Sequence, residues 1–166
     1  MALAFLLAIL TGAFLLALPA ANTDGQWRDA VSAIFTATSA TCVTGLTVID
    51  IGSELTRFGQ LVVLTLIQLG GLGVTTFGTF LLVLVGRRLS VQSEFVLMDA
   101  YGVEAVQGIR ALLLWTMGFT LLFEGIGTFL LWTRYLAPPP SLALALDPWT
   151  ALYYASFHAV SAFCNA

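Results

Sequence analysis

Between Ser39 and Asp50 the chain reads SATCVTGLTVID, a run of small, hydroxylated and β-branched residues around one glycine, Gly45. Such a run, following a short helix, can offer backbone carbonyls in place of a cation's hydration shell. Gly45 supplies the backbone freedom that aiming successive carbonyls inward requires, and Val43 and Thr44 before it are stiff at χ1 and pack the loop from behind. Cys42 opens the run, and a second cysteine, Cys164, stands before Asn165 and Ala166. A different chemistry is open to the same residues: Cys42 or Ser161 as a nucleophile with His158 as its base. No partner acid stands at a recognisable spacing for that triad. Glu124 lies inside an otherwise uncharged apolar run, where an ionisable group is by default a functional-site hypothesis.

Three stretches are apolar enough to carry these residues into a membrane. Ala2 to Leu18 holds no charge, Phe58 to Gly86 holds none over 29 residues, and Ala111 to Thr133 holds only Glu124. A span needs about 20 apolar residues, so the second is long, the third fits and the first is at the short limit before Pro19. Ala20-Ala21 resembles a secretory cleavage site, but the stretch lacks a basic start and Pro19 is unfavourable there, so it reads as a retained helix. Arg87, Arg88 and Arg110 flank one connection and Arg28, Arg57 and Arg134 the other. Three arginines against three do not fix the orientation by charge.

Between the spans lie two helices too short to cross. Trp27 to Ser39 is helix-capable, but a helix of that length reaches only about 20 Å. After three prolines (Pro138 to Pro140), Asp147 is a good N-cap and Pro148 suits the first helical position. The two segments repeat at an offset of 122: Trp27 meets Trp149, Ala33 Ala155, Phe35 Phe157, Ala37 Ala159, Ser39 Ser161, Ala40 Ala162 and Cys42 Cys164. GAFLLA from Gly12 is echoed by GTFLLW from Gly127. The chain is therefore read as an internal repeat of about 120 residues, span, short helix, loop, span. Irregular backbone at membrane depth is tolerated where protein buries it or a water-filled cavity borders it, as along an ion pathway.

Composition narrows the field. The 166 residues are 59% hydrophobic and 9% charged, with nine acids, six arginines and no lysine, and mean hydropathy is +0.97. A soluble domain carries about 25% charged residues, so a soluble enzyme, a nucleic-acid binder and a disordered chain are excluded. Two cysteines are too few for a disulfide framework or a cysteine-rich zinc site, and no cofactor is expected.

TATSATCVTGLTVID, LTLIQLGGLGVTTFGTF, FEGIGTFLL and SFHAVSAFCNA together resemble the Trk/Ktr potassium transporter family, in its membrane-embedded KtrB/TrkH-like translocating subunit. The resemblance implies an all-α membrane fold of four M1-P-M2 pore-loop repeats around one pore, of which this chain reads as an N-terminal fragment. The first repeat would occupy 1–86, with M1 at 1–18, pore helix 27–39, filter 42–47 and M2 56–86. A cytoplasmic connection, 87–108, would follow. The second repeat would start at 109–166, with M1 109–133, pore helix 148–162 and filter start 164–166. The selectivity filter would comprise Cys42, Val43, Thr44, Gly45 and Leu46 with Cys164, Asn165 and Ala166, and K+ would meet the carbonyls of Val43, Thr44, Gly45, Asn165 and Ala166.

The resemblance further implies a multi-pass protein of the bacterial inner membrane, a homodimer when full length, and a nucleotide-binding KtrA/TrkA-like regulatory subunit on the cytoplasmic face. It puts Asp24, Asp29, Asp50, Glu54 and Asp147 at the outer mouth against Arg28, Arg57 and Arg134, where net negative charge can gather cations or the charges simply form a solvated rim. For Gln68, Gly70, Gly71 and Gly73, close helix packing is the plainer reading, with lining the pore as the other. Glu124 is expected to bond across to a pore helix, His158 to pack behind the filter, and the two cysteines to reflect the repeat alone. The alternative to potassium translocation is a non-conducting structural or regulatory membrane protein built on the same repeat.

Overall fold

In the computed structural model the described residues are 2–73, 106–137 and 146–166. They form six α-helices: α1 (Ala2–Ala17), α2 (Ala30–Cys42), α3 (Ile51–Glu54), α4 (Arg57–Gly71), α5 (Val106–Leu136) and α6 (Pro148–Cys164), with a 3₁₀ turn at Pro19–Ala21. Among the described residues there is no strand beyond one antiparallel bridge between Asn22 and Leu55.

Helix α4 is the central post: α1 and α2 pack on it, α6 packs on it from the other side, and α5 covers α6. Small residues make these approaches close, as expected where helices associate without a hydrophobic drive. On α2 the buried face is Ala33, Ala37 and Ala40, and on α6 it is Ala151, Ala155 and Ala159. Helix α5 buries Leu113, Met117, Thr120 and Glu124, and Gly127, next in that alternating four-and-three spacing, lies against Ala159. Its other faces carry exposed Trp115, Phe119, Phe123 and Leu130. The segment Leu113–Leu136 is, among the described residues, the one helix long and apolar enough to cross a membrane.

Several boundaries differ from the sequence reading. Trp27 and Arg28 lie outside α2 because the Arg28 N–H bonds the Ala17 carbonyl and Asp29 caps the helix, accepting the Ser32 N–H at 2.8 Å. Helix α2 then continues through Cys42, and α6 through Cys164, so both cysteines end helices. The expected span 56–86 is helical over Arg57–Gly71 and then turns, with Gly73 at φ 77°; residues 74–86 and the connection up to 105 lie outside the described residues. Asp147 and Pro148 start α6 as expected, Asp147 accepting the Thr150 N–H at 3.1 Å.

Candidate functional site

The two short helices end alike. Val43 follows α2 in the left-handed region (φ 57°, ψ 41°), and Asn165 follows α6 there too (φ 62°, ψ 40°). In each turn two N–H groups fold back on the helix's last carbonyls: Val43 on Ala40 and Thr44 on Ser39, Asn165 on Ala162 and Ala166 on Ser161. Asparagine tolerates this conformation, whereas a β-branched valine is an outlier there, which costs about 1–2 kcal/mol. The serine one turn back ties each loop down. Ser39 donates to the Leu46 carbonyl at 2.6 Å and its Oγ lies 2.9 Å from Thr44 Oγ1; Ser161 donates to the Ala166 carbonyl.

The two loops lie side by side. Gly45 has φ 69°, and a first side-chain carbon there would stand 3.7 Å from the Ala166 backbone. A cavity of about 200 Å³ is bordered by Thr36, Ser39, Gly45, Thr47, Ser161 and Ala166 among others. The Thr36 hydroxyl facing it is buried without a partner among the described residues.

Helix α4 supports both turns. A side chain at Gly70 would collide with the Thr41 carbonyl and Val43, and one at Gly71 with the Cys164 side chain, so packing explains this pair. Gln68 Nε2 donates to Glu124 Oε1 at 2.8 Å, and Cys164 Sγ donates to Gln68 Oε1 at 3.8 Å. Among the described residues Glu124 thus bonds α4 and reaches the short helix through Gln68. Two turns earlier Gln60 donates to the carbonyls of Ile51, Gly52 and Leu55 and accepts from the Tyr153 hydroxyl at 2.8 Å. The Arg57 guanidinium stacks 4.1 Å from the Tyr153 ring centroid.

A second cavity, of about 690 Å³, is bordered by Asp50, Glu54, Gln60, Tyr154, Phe157 and His158 among others. His158 is exposed in this cavity and does not pack behind the loop. The acids expected at the outer mouth serve local structure. Asp29 and Asp147 cap helices, Asp24 accepts the Gln26 N–H and Asp50 accepts the Gly52 N–H. Glu54 holds the Asp50 N–H and the Arg28 guanidinium, the latter at 3.0 Å. The Asp50 N–H and then Arg28 hold the Glu54 carboxyl below the usual carboxylate range. Arg28 also donates to buried Asn22 at 2.6 Å, whose amide reaches the Leu16, Leu18 and Gln26 carbonyls. Neither this clamp nor Gln60 stood out in the sequence, although a polar amide inside an apolar helix was the signal for the second.

A family model described as TrkH, cation transport protein, matches residues 7–166. The chain belongs to this family. It is 38% identical over 168 residues to the Ktr system potassium uptake protein B of Bacillus subtilis (strain 168), covering 100% of this chain and 35% of that protein. The Vibrio alginolyticus protein of the same name is 38% identical over 165 residues, covering 99% and 34%. The potassium/sodium uptake protein NtpJ of Enterococcus hirae is 33% identical over 162 residues, covering 98% and 34%. The chain therefore spans about a third of the length of these relatives. The TrkH family is one of membrane cation transporters and not of enzymes. The geometry agrees on the nucleophile question: Ser161 donates to a loop carbonyl and His158 Nδ1 meets the Tyr154 carbonyl, so the two form no base–nucleophile pair.

Proposed function

We propose that this chain carries the first two pore loops of a potassium-translocating subunit of Trk/Ktr type. In this reading 1–86 is a complete M1-P-M2 repeat, with α1 as M1, α2 as pore helix and α4 as the start of M2. Residues 87–108 form the cytoplasmic connection, and 109–166 begins the second repeat with α5 and α6. The filter residues are Cys42, Val43, Thr44, Gly45 and Leu46 in the first loop and Cys164, Asn165 and Ala166 in the second. The carbonyls of Val43, Thr44, Gly45, Asn165 and Ala166 meet K+, while the Leu46 carbonyl also holds the loop to Ser39.

The single observation that carries this reading is the matching left-handed turn after two short helices, 122 residues apart in sequence and brought to one cavity at Gly45 and Ala166. A helix C-terminus carries about half a negative charge. Two such ends turned into adjoining loops favour a monovalent cation, and carbonyls in a fixed ring replace its water. The names of the relatives, potassium uptake proteins and one potassium/sodium uptake protein, point to the same cargo. In this reading the full-length protein lies as a multi-pass dimer in the bacterial inner membrane beside a nucleotide-binding KtrA/TrkA-like subunit; the names of two relatives place those proteins in a Ktr system.

The test is Gly45→Ser in the full-length protein. A side chain forced into φ 69° costs about 1–2 kcal/mol, so the potassium-over-sodium uptake ratio is expected to fall about tenfold. An unchanged ratio would remove Gly45 from the ion path.

A further inference from the structure

We infer that Glu124 is a positioning residue for the second loop, acting through Gln68 on Cys164. The inference rests on the reading of the loops as an ion path and adds to it the device that sets one loop's height. Glu124 is buried in the third apolar run, and its partner among the described residues is an amide, not a cation. Glu124 Oε1 accepts from the Gln68 NH₂ at 2.8 Å, which turns that NH₂ towards the carboxyl and leaves the Gln68 carbonyl facing the Cys164 thiol, where the 3.8 Å contact is found. Cys164 is the last residue of α6, immediately before the left-handed Asn165. Its side chain occupies the space left by Gly71, one turn along α4 from Gln68. The thiol is thus held from the side by Gln68 and from below by Gly71, which fixes where the second loop begins. A glutamine at 124 still offers a carbonyl to the Gln68 NH₂.

The experiment uses the full-length protein. Glu124→Ala is expected to lower the potassium-over-sodium uptake ratio about fivefold, the scale of one hydrogen bond, and Glu124→Gln to keep most of it. Gln68→Met should reproduce the alanine loss, and the double variant should be no worse than either single one. In the wild-type protein the S–H stretching band that disappears in Cys164→Ala should lie at the frequency of a hydrogen-bonded thiol and shift to that of a free thiol in Gln68→Met. Wild-type selectivity in Glu124→Ala at normal membrane levels overturns the inference. So does a free-thiol band in the wild type, whatever becomes of the variants. Absence of potassium uptake by the wild-type protein would instead refute the proposed transport, with the thiol band still reporting on the positioning.

Discussion

Helices α2 and α6 end in the same turn but begin differently. Their left-handed caps, Val43 and Asn165, are 122 residues apart, whereas their capping aspartates, Asp29 and Asp147, are only 118 apart. Helix α6 is longer by about one turn, all of it at the N-terminal end. The supports differ as well. The first loop is tied within its own half, by Ser39 to Leu46 and Thr44, beneath an outer clamp of Asn22, Arg28 and Glu54. The second helix is held from outside, by Gln60 at Tyr153 and by Gln68 at Cys164. One loop geometry, tied in each case by the serine one turn back and seated on α4, is thus reached with otherwise different braces, so the geometry is the shared requirement and the further braces are local solutions.

The sharpest way to break this equivalence is at the glycine pair. Gly70 lies against Thr41 and Val43 of the first turn and Gly71 against Cys164 of the second. Overpacking such contacts costs about 1–3 kcal/mol or more. Gly70→Leu and Gly71→Leu are each expected to abolish potassium uptake, measured at equal membrane levels. Loss in only one of them would show that the two turns are not used alike.

A smaller effect distinguishes the two caps. Val43→Gly relieves the strain of a β-branched residue at φ 57° and should raise thermal stability by about 1 kcal/mol. Asn165→Gly should gain less, because asparagine already tolerates that region. Equal gains in thermal unfolding would argue against strain at Val43.

Much of this architecture was legible in the sequence because it rests on local chemistry. Apolar runs without charge gave the helices, Asp147-Pro148 gave the start of α6, and the Trp, Phe, Ser and Cys shared between the two segments gave the register in which their ends coincide. The turn itself was displaced: Cys42 and Cys164 fit a helix end as readily as a strand start, and a valine in the left-handed region carries no glycine to announce it. The braces were hidden for another reason. Gln68 and Glu124 are 56 residues apart, and Gln60 and Tyr153 are 93 apart, so neither pair has a periodic signature. Asn22 and Thr23 bond mostly to backbone carbonyls, which any sequence supplies.

The smallest expected effect lies in the outer clamp. The Glu54 carboxyl is held below its ordinary value by the Asp50 N–H and Arg28, so it stabilises the loop above the unfolded carboxylate range, about pH 4.3, and that stability is lost as pH falls through the lowered folded value. Glu54→Gln should flatten the acid side of the melting-temperature profile. A profile unchanged by the substitution would remove Glu54 from the clamp's energetics.

The central claim, that the two turns border one cation path, is tested most directly by crystals of the full-length protein grown with Rb+ in place of K+. An anomalous-difference peak is expected between the loops, within coordination distance of carbonyls from Val43 to Gly45 and from Asn165 and Ala166. A bound ion found elsewhere along the protein, with none between these loops, would contradict the account.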